Sequence, residues 1–201
     1  MAESEGLTHP LAPEHGEASL LLGLREREPE ACQELCSRFG PKIHAFVAAR
    51  LSGDGQLAED LMVETLADAA RNITRFNPGR STLSAWLFGI ARRKIQGELR
   101  RQRRLKSVPA SAQVSLETMS EASLQADLAD ALASRLDARQ RVAELSTILS
   151  ELEFDVLVLN CVDELSAREI GRIVGRSERA IHSLLHRARN KARERLVRDE
   201  D

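Results

Sequence analysis

The sequence predicts an all-α fold: two small helical domains joined by a partly helical linker, the C-terminal one containing a helix-turn-helix. Three observations predict it. Apolar residues recur at helical spacing in successive segments, and no run alternates as a strand would. Aromatic residues are only 3% of the 201, with no tyrosine, against 30% charged residues, a composition that suits small helical modules better than sheets. The stretch 164–195, ELSAREIGRIVGRSERAIHSLLHRARNKARER, carries two helix starts separated by a short glycine-containing turn.

Taken in order, residues 1–17 read as a disordered acidic tail containing proline and glutamate. From Leu20 to Arg104 the apolar pattern is punctuated at Pro41, Gly53 to Gly55, and Pro78-Gly79. This places helices near 18–26, 30–51, 56–75 and 82–104, and an N-terminal domain over 18–105. The fourth helix presents Leu83, Trp86, Leu87 and Ile90 as an apolar stripe and ends in the basic run RRKIQGELRRQRR. A linker over 106–137 includes SVPASAQVS and then turns helical, with Leu124, Leu128, Leu132 and Leu136 at four-residue intervals. Helices over 138–198 make the C-terminal domain.

Within that domain, Ser166 and Glu169 have the spacing of a capping box, and Ile170, Ile173 and Val174 then fall on one face. Gly175 follows where a chain leaving a helix needs a left-handed residue. Ser177 caps a second helix whose Ala180, Ile181, Leu184, Leu185 and Ala188 form a buried stripe. Arg179, His182, Ser183, His186 and Arg187 lie toward the other side, within reach of phosphates or base edges. The plainer alternative is an αα-hairpin with a solvated basic face.

Charge distribution favours a nucleic-acid partner. The net charge is only −2, but Arg92 to Lys106 holds eight basic residues against Glu98 alone, and Arg176 to Arg198 holds eight against Glu178 and Glu194. The loop RFNPGRS offers an aromatic, an amide, a guanidinium and a hydroxyl to an unpaired base, although Asn-Pro-Gly is first a turn and Phe76 and Trp86 first packing residues. Cys32 and Cys36 sit one helical turn apart with His44 beyond; they read as small core residues beside Leu35 and Phe39, not as a metal site. Nothing resembles a targeting signal, a membrane span, a phosphate-binding loop or a catalytic constellation, so a cytoplasmic non-enzyme without cofactor or metal is expected.

The order of these blocks resembles the extracytoplasmic-function sigma factors of bacterial RNA polymerase. The blocks are FGPKIHAFVAARLSGDGQLAEDLMVETL, RFNPGRSTLSAWLFGIARRKI, RRQRR, and ELSAREIGRIVGRSERAIHSLLHRARNKARERL, together covering about residues 18–198. The resemblance implies a factor that binds core RNA polymerase and directs promoter-specific initiation. It implies a polymerase-binding set at Ala58, Glu59, Asp60, Leu61 and Glu64. It implies minus-ten DNA binding by Phe76, Asn77, Gly79, Arg80 and Ser81, then Arg92, Arg93, Lys94, Arg100, Arg101, Arg103 and Arg104. Minus-thirty-five binding is implied for Arg176, Ser177, Arg179, His182, Ser183, His186, Arg187 and Arg189. An anti-sigma factor is the implied regulator.

The chain departs from the family pattern at several points. Val63, Leu66 and Ala70 replace a glutamine and two aromatics, and His182 and Leu184 stand where lysine or arginine is usual. The latter pair implies weaker phosphate attraction, with pH-dependent binding through His182, or an unusual promoter in which Leu184 touches a thymine methyl. The acidic linker, with Glu117, Glu121, Asp127 and Asp130, offers an autoinhibitory contact to a basic face. Two rivals remain: a helix-turn-helix regulator acting without polymerase, and a sigma-like adaptor working through protein contacts.

Overall fold

The computed structural model describes residues 15–51, 54–106 and 140–197, and among these the regular secondary structure is all helical, with no strand. The N-terminal unit comprises α1 (His15–Glu26), α2 (Pro29–Arg50), α3 (Gly55–Arg71), a 3-10 turn (Ile73–Arg75) and α4 (Leu83–Lys106). The C-terminal unit comprises residues 140–148, termed α5, then α6 (Glu151–Asp163), α7 (Ala167–Val174) and α8 (Glu178–Val197). The acidic tail before residue 15 and the linker over 107–139, with its leucine repeat and carboxylates, lie outside the described residues.

Local chemistry accounts for most boundaries. Pro29 opens α2, where its missing N–H costs nothing. Asp54 caps α3 by accepting from Leu57 N at 3.0 Å. That helix stops at Arg71, short of the expected 75, because Asn72 turns back on it: its side-chain amide donates to the Asp68 carbonyl at 2.8 Å, and its N–H to the same carbonyl at 3.0 Å. Pro41 does not punctuate the second helix as expected. α2 continues through it, with Pro41 and Ser37, the residue whose carbonyl loses its partner, both on the exposed side.

In the C-terminal unit, Ser150 with Glu153 and Ser166 with Glu169 both close reciprocal capping boxes, at the starts of α6 and α7. Gly175 ends α7 at φ 71°, a left-handed conformation that any side chain would strain. Gly171 is also obligatory, since a Cβ there would stand 2.6 Å from the Arg176 carbonyl oxygen. The tight turn before α8 therefore depends on two glycines.

The two units share one core. Phe46 of α2 meets Phe88 of α4 edge-on, with ring centroids 5.4 Å apart. The same apolar cluster continues through Leu87 and Ile95 to Val156 and Leu159 of α6, Leu165, Ile170 of α7 and Ile181 of α8. Consequently α6 lies on α2 and α7 on the start of α4, which sets what α4 can present outward.

Candidate nucleic-acid and polymerase interfaces

Helix α3 carries the acidic face. Glu59, Asp60 and Glu64 are exposed, and Val63 between them is 55% exposed, while Ala58 and Leu61 are buried and support that surface from beneath. Leu66 is also buried, so the missing aromatic there is a matter of packing.

The loop before α4 is held by its own hydrogen bonds. The Asn77 side chain accepts from Gly79 N at 2.9 Å, and its carbonyl accepts from Arg80 N at 3.0 Å. Phe76 is only 3% exposed and packs on Trp86 at 5.4 Å, so it stiffens the loop from below and leaves Asn77, Gly79 and Arg80 outside. Beside them opens a cleft of about 620 Å³ lined by Arg80, Ser81, Trp86, Arg93 and, from α7, Arg172.

The start of α4 is tied down from two distant places. Leu83 N donates to Glu17 of α1 at 3.2 Å, and the Thr82 hydroxyl donates to Glu169 of α7 at 2.7 Å. Glu169 is held below the usual carboxylate range: burial opposes this, but hydrogen bonds from Ser166 and Thr82 outweigh it. One carboxylate thus closes the capping box of α7 and holds the start of α4.

The cations expected along α4 do not share one face. Arg92 donates from Nε to Asp155 at 2.9 Å, and Asp155 also lies 2.8 Å from Arg50 Nε, whose N–H is not aimed for a hydrogen bond. The contact to Arg50 is therefore coulombic, and that guanidinium stacks over Phe154 at 5.6 Å. Burial pushes the Asp155 carboxyl upward, partly offset by both arginines. Lys94 turns to α3, reaching Asp68 at 2.6 Å and Glu64 at 3.0 Å. Burial alone would lower its pKa, yet those two acids raise it. Arg93 faces outward at the cleft. Further along, Arg100 bonds the Gln96 carbonyl, Arg101 chelates Glu98 at 2.7 and 2.8 Å, Arg103 pairs with Glu151, and Arg104 is exposed.

Helix α8 differs. Arg176 and Ser177 just before it, and Arg179, His182, Ser183, His186 and Arg187 on it, are all exposed, and the helix is seated by Ile181, Leu185 and Ala188. Leu184 is 8% exposed and belongs to that seat, which removes it as a contact to a thymine methyl. Its apolar side chain holds the helix in place where a cation would be desolvated. Among the outward groups, His182 stands 4.0 Å from Glu178, His186 bonds Asn190, and Arg189 donates to Asn160 at 2.7 Å.

Cys36 is exposed and Cys32 half-buried, so Cys36 is not the core residue its spacing suggested. Sequence reasoning passed over Arg50, Asp155, Asp163 and Arg172. Only Asp155 left a signal, as the single charge inside the apolar run Phe154 to Leu159.

Residues 35–105 match the family described as Sigma-70 region 2, and residues 127–191 match Sigma-70, region 4. The chain is 32% identical over 174 residues to the RNA polymerase sigma factor CarQ of Myxococcus xanthus, covering 86% of this chain and 92% of that one. It is 28% identical over 183 residues to the ECF RNA polymerase sigma factor SigF of Caulobacter vibrioides, covering 90% and 93%. Among solved structures, CnrH in complex with the cytosolic domain of CnrY is similar at 25% identity and a TM-score of 0.65, over 90% of this chain and 97% of that one. The sigma factor RpoE in complex with the anti-sigma factor NepR from Bartonella quintana is similar at 25% identity and a TM-score of 0.63, over 82% and 95%.

Proposed function

The chain belongs to the extracytoplasmic-function sigma factors, which direct transcription initiation with core RNA polymerase, and we propose that its two units divide promoter recognition between them. Residues 18–105 dock on polymerase and read the minus-ten element; 106–137 link; 138–198 read the minus-thirty-five element. The factor works in the cytoplasm, makes no bond itself, and is held in check by an anti-sigma factor.

Polymerase contact belongs to Glu59, Asp60 and Glu64 around exposed Val63, a surface with charge for a basic partner and one apolar residue for its centre. Asn77, Gly79, Arg80 and Ser81 form a pre-shaped loop for an unstacked base, with Arg93 next to it for phosphate. On α8, Arg179, His182, Ser183 and His186 face the bases, while Arg176, Arg187 and Arg189 take phosphates. Capture of unstacked bases supplies the free energy for strand opening, so no nucleotide hydrolysis is required.

One observation carries this reading: region 2 and region 4 matches fall on two helical units of a single chain, in that order. The test is reconstitution with core RNA polymerase on genomic DNA, followed by sequencing of transcript 5′ ends. Specific starts sharing two upstream elements are expected. Tight binding to a palindrome without polymerase, and no specific starts, would establish the free-standing regulator instead.

A further inference from the structure

The cleft of about 620 Å³ beside the loop is walled by both units, and its volume is that of a small-molecule site. Three elements each send one guanidinium to it: Arg80 from the loop, Arg93 from α4 and Arg172 from α7. All three are exposed, and among the described residues their side chains form no ion pair. Arg92 and Lys94, on either side of Arg93, are both paired with acids, so the cations left unpaired are those that meet at the cleft. No carboxylate of the described residues lines it, and Glu169, the acid that feels Arg172, is already held by Ser166 and Thr82. Three like charges around one cavity repel each other, and a polyanion relieves that repulsion with charge-assisted hydrogen bonds.

The rest of the lining suits a flat ring. Trp86 is half-buried and fixed by its contact with Phe76, and Ile173 of α7 adds an aliphatic surface. Gly89 of α4 leaves bare backbone at the cleft, where a Cβ would meet nothing within 4 Å. Glycine inside a helix is unfavourable relative to alanine, and no packing within the chain requires it here; its effect is to let a ring lie against the helix. Trp86 and Arg93 are seven residues apart, roughly 10 Å along the axis of α4, a separation that a ribose and a short phosphate chain bridge.

We propose that this cleft is a binding site for a free nucleoside polyphosphate, with its base against Trp86 and Ile173 and its phosphates among Arg80, Arg93 and Arg172. The indole supplies stacking and the guanidiniums supply the charge, the two parts of nucleotide recognition. The site shares Arg80 and Arg93 with the loop assigned to the minus-ten element, but it also needs Arg172 and Ile173 of α7, which that assignment does not use. A promoter strand offers the same base and phosphate chemistry, and the experiment separates the two sources.

Trp86 is the single tryptophan of a chain without tyrosine, so its emission reports on the cleft alone. The full chain is titrated with ATP and with GTP, exciting beyond the purine absorption band. Saturable one-to-one quenching is expected, reversed by inorganic tripolyphosphate and weakened by salt. Arg172→Gln should raise Kd roughly tenfold, the loss of one charge-assisted contact. Gly89→Leu, which fills the cleft from the helix side, should remove the quenching without lowering the melting temperature of the free chain. Absence of saturable quenching by either nucleotide, or an unchanged Kd in Arg172→Gln, overturns the site. A single-stranded oligonucleotide of about 12 nucleotides is titrated beside them. If it quenches Trp86 where ATP and GTP do not, the cleft serves strand capture, so the minus-ten assignment stands and the free-nucleotide site falls.

Discussion

The basic run on α4 and the one over 176–198, in and around α8, are of the same size in the sequence, and the fold treats them in opposite ways. On α4 four of the eight cations are engaged in ion pairs: Arg92 with Asp155, Lys94 with Asp68 and Glu64, Arg101 with Glu98, Arg103 with Glu151, while Arg93 faces outward. Arg176 just before α8, and Arg179 and Arg187 on it, face outward, and among the described residues their side chains form no ion pair. Lys191, by contrast, is tied to Glu153 at 2.8 Å. The difference teaches that a count of positive residues measures potential for DNA binding, while the number of carboxylates within reach measures how much of it is available.

The severest way to break the comparison is at the buried centre of α4. Asp155→Ala leaves two guanidiniums without their acid in a largely buried site, and should cost about 3–5 kcal/mol in chemical denaturation. A loss below about 1 kcal/mol would mean the centre is as solvated as a surface pair.

The pair of Lys191 with Glu153 gives a pH dependence. Lys191 holds the Glu153 carboxyl down at about 2, against desolvation by burial and with help from Ser150. A depressed carboxylate stabilises the fold above its ordinary value of 4.5 and loses that contribution as pH falls from there toward 2. Lys191→Met should therefore move the acid-unfolding midpoint, followed by circular dichroism, to higher pH; no movement would show that the pair contributes nothing.

The outward face of α8 should register in DNA binding and not in stability. In holoenzyme, Arg179→Ala should cost roughly 1–3 kcal/mol of promoter affinity and relax preference at one base position. Arg187→Gln should weaken all sequences alike and lower the salt slope by about one. If either substitution shifts the melting temperature instead, the face is structural.

The smallest expected effect sharpens the contrast within α4 itself. Arg103→Ala breaks an exposed pair, so unfolding free energy should change by no more than about 0.5 kcal/mol. An effect approaching that of Asp155→Ala would erase the gradient from buried centre to open rim.

Much of the fold was legible because the signals are local. The capping box of Ser166 and Glu169, the left-handed Gly175, the Ser177 start and the buried stripe through Ile181, Leu185 and Ala188 all lie where their spacing placed them. The site was legible only in outline. Ala58 and Leu61 belong to the recognised polymerase-binding motif yet point inward, since a motif names positions on a helix without saying which side another element will cover, whereas Phe76 and Leu184 are buried as their packing reading placed them.

What the sequence alone determined is the helical segments, the capping box of Ser166 and Glu169, Gly175 of the turn and the succession of motifs that marks the family. These rest on interactions three or four residues apart, which any reader of the chain can count. Only the tertiary structure decided which cations remain available to DNA. Arg92 and Asp155 are 63 residues apart and Thr82 and Glu169 87, and no periodicity in one segment encodes what another will bring against it.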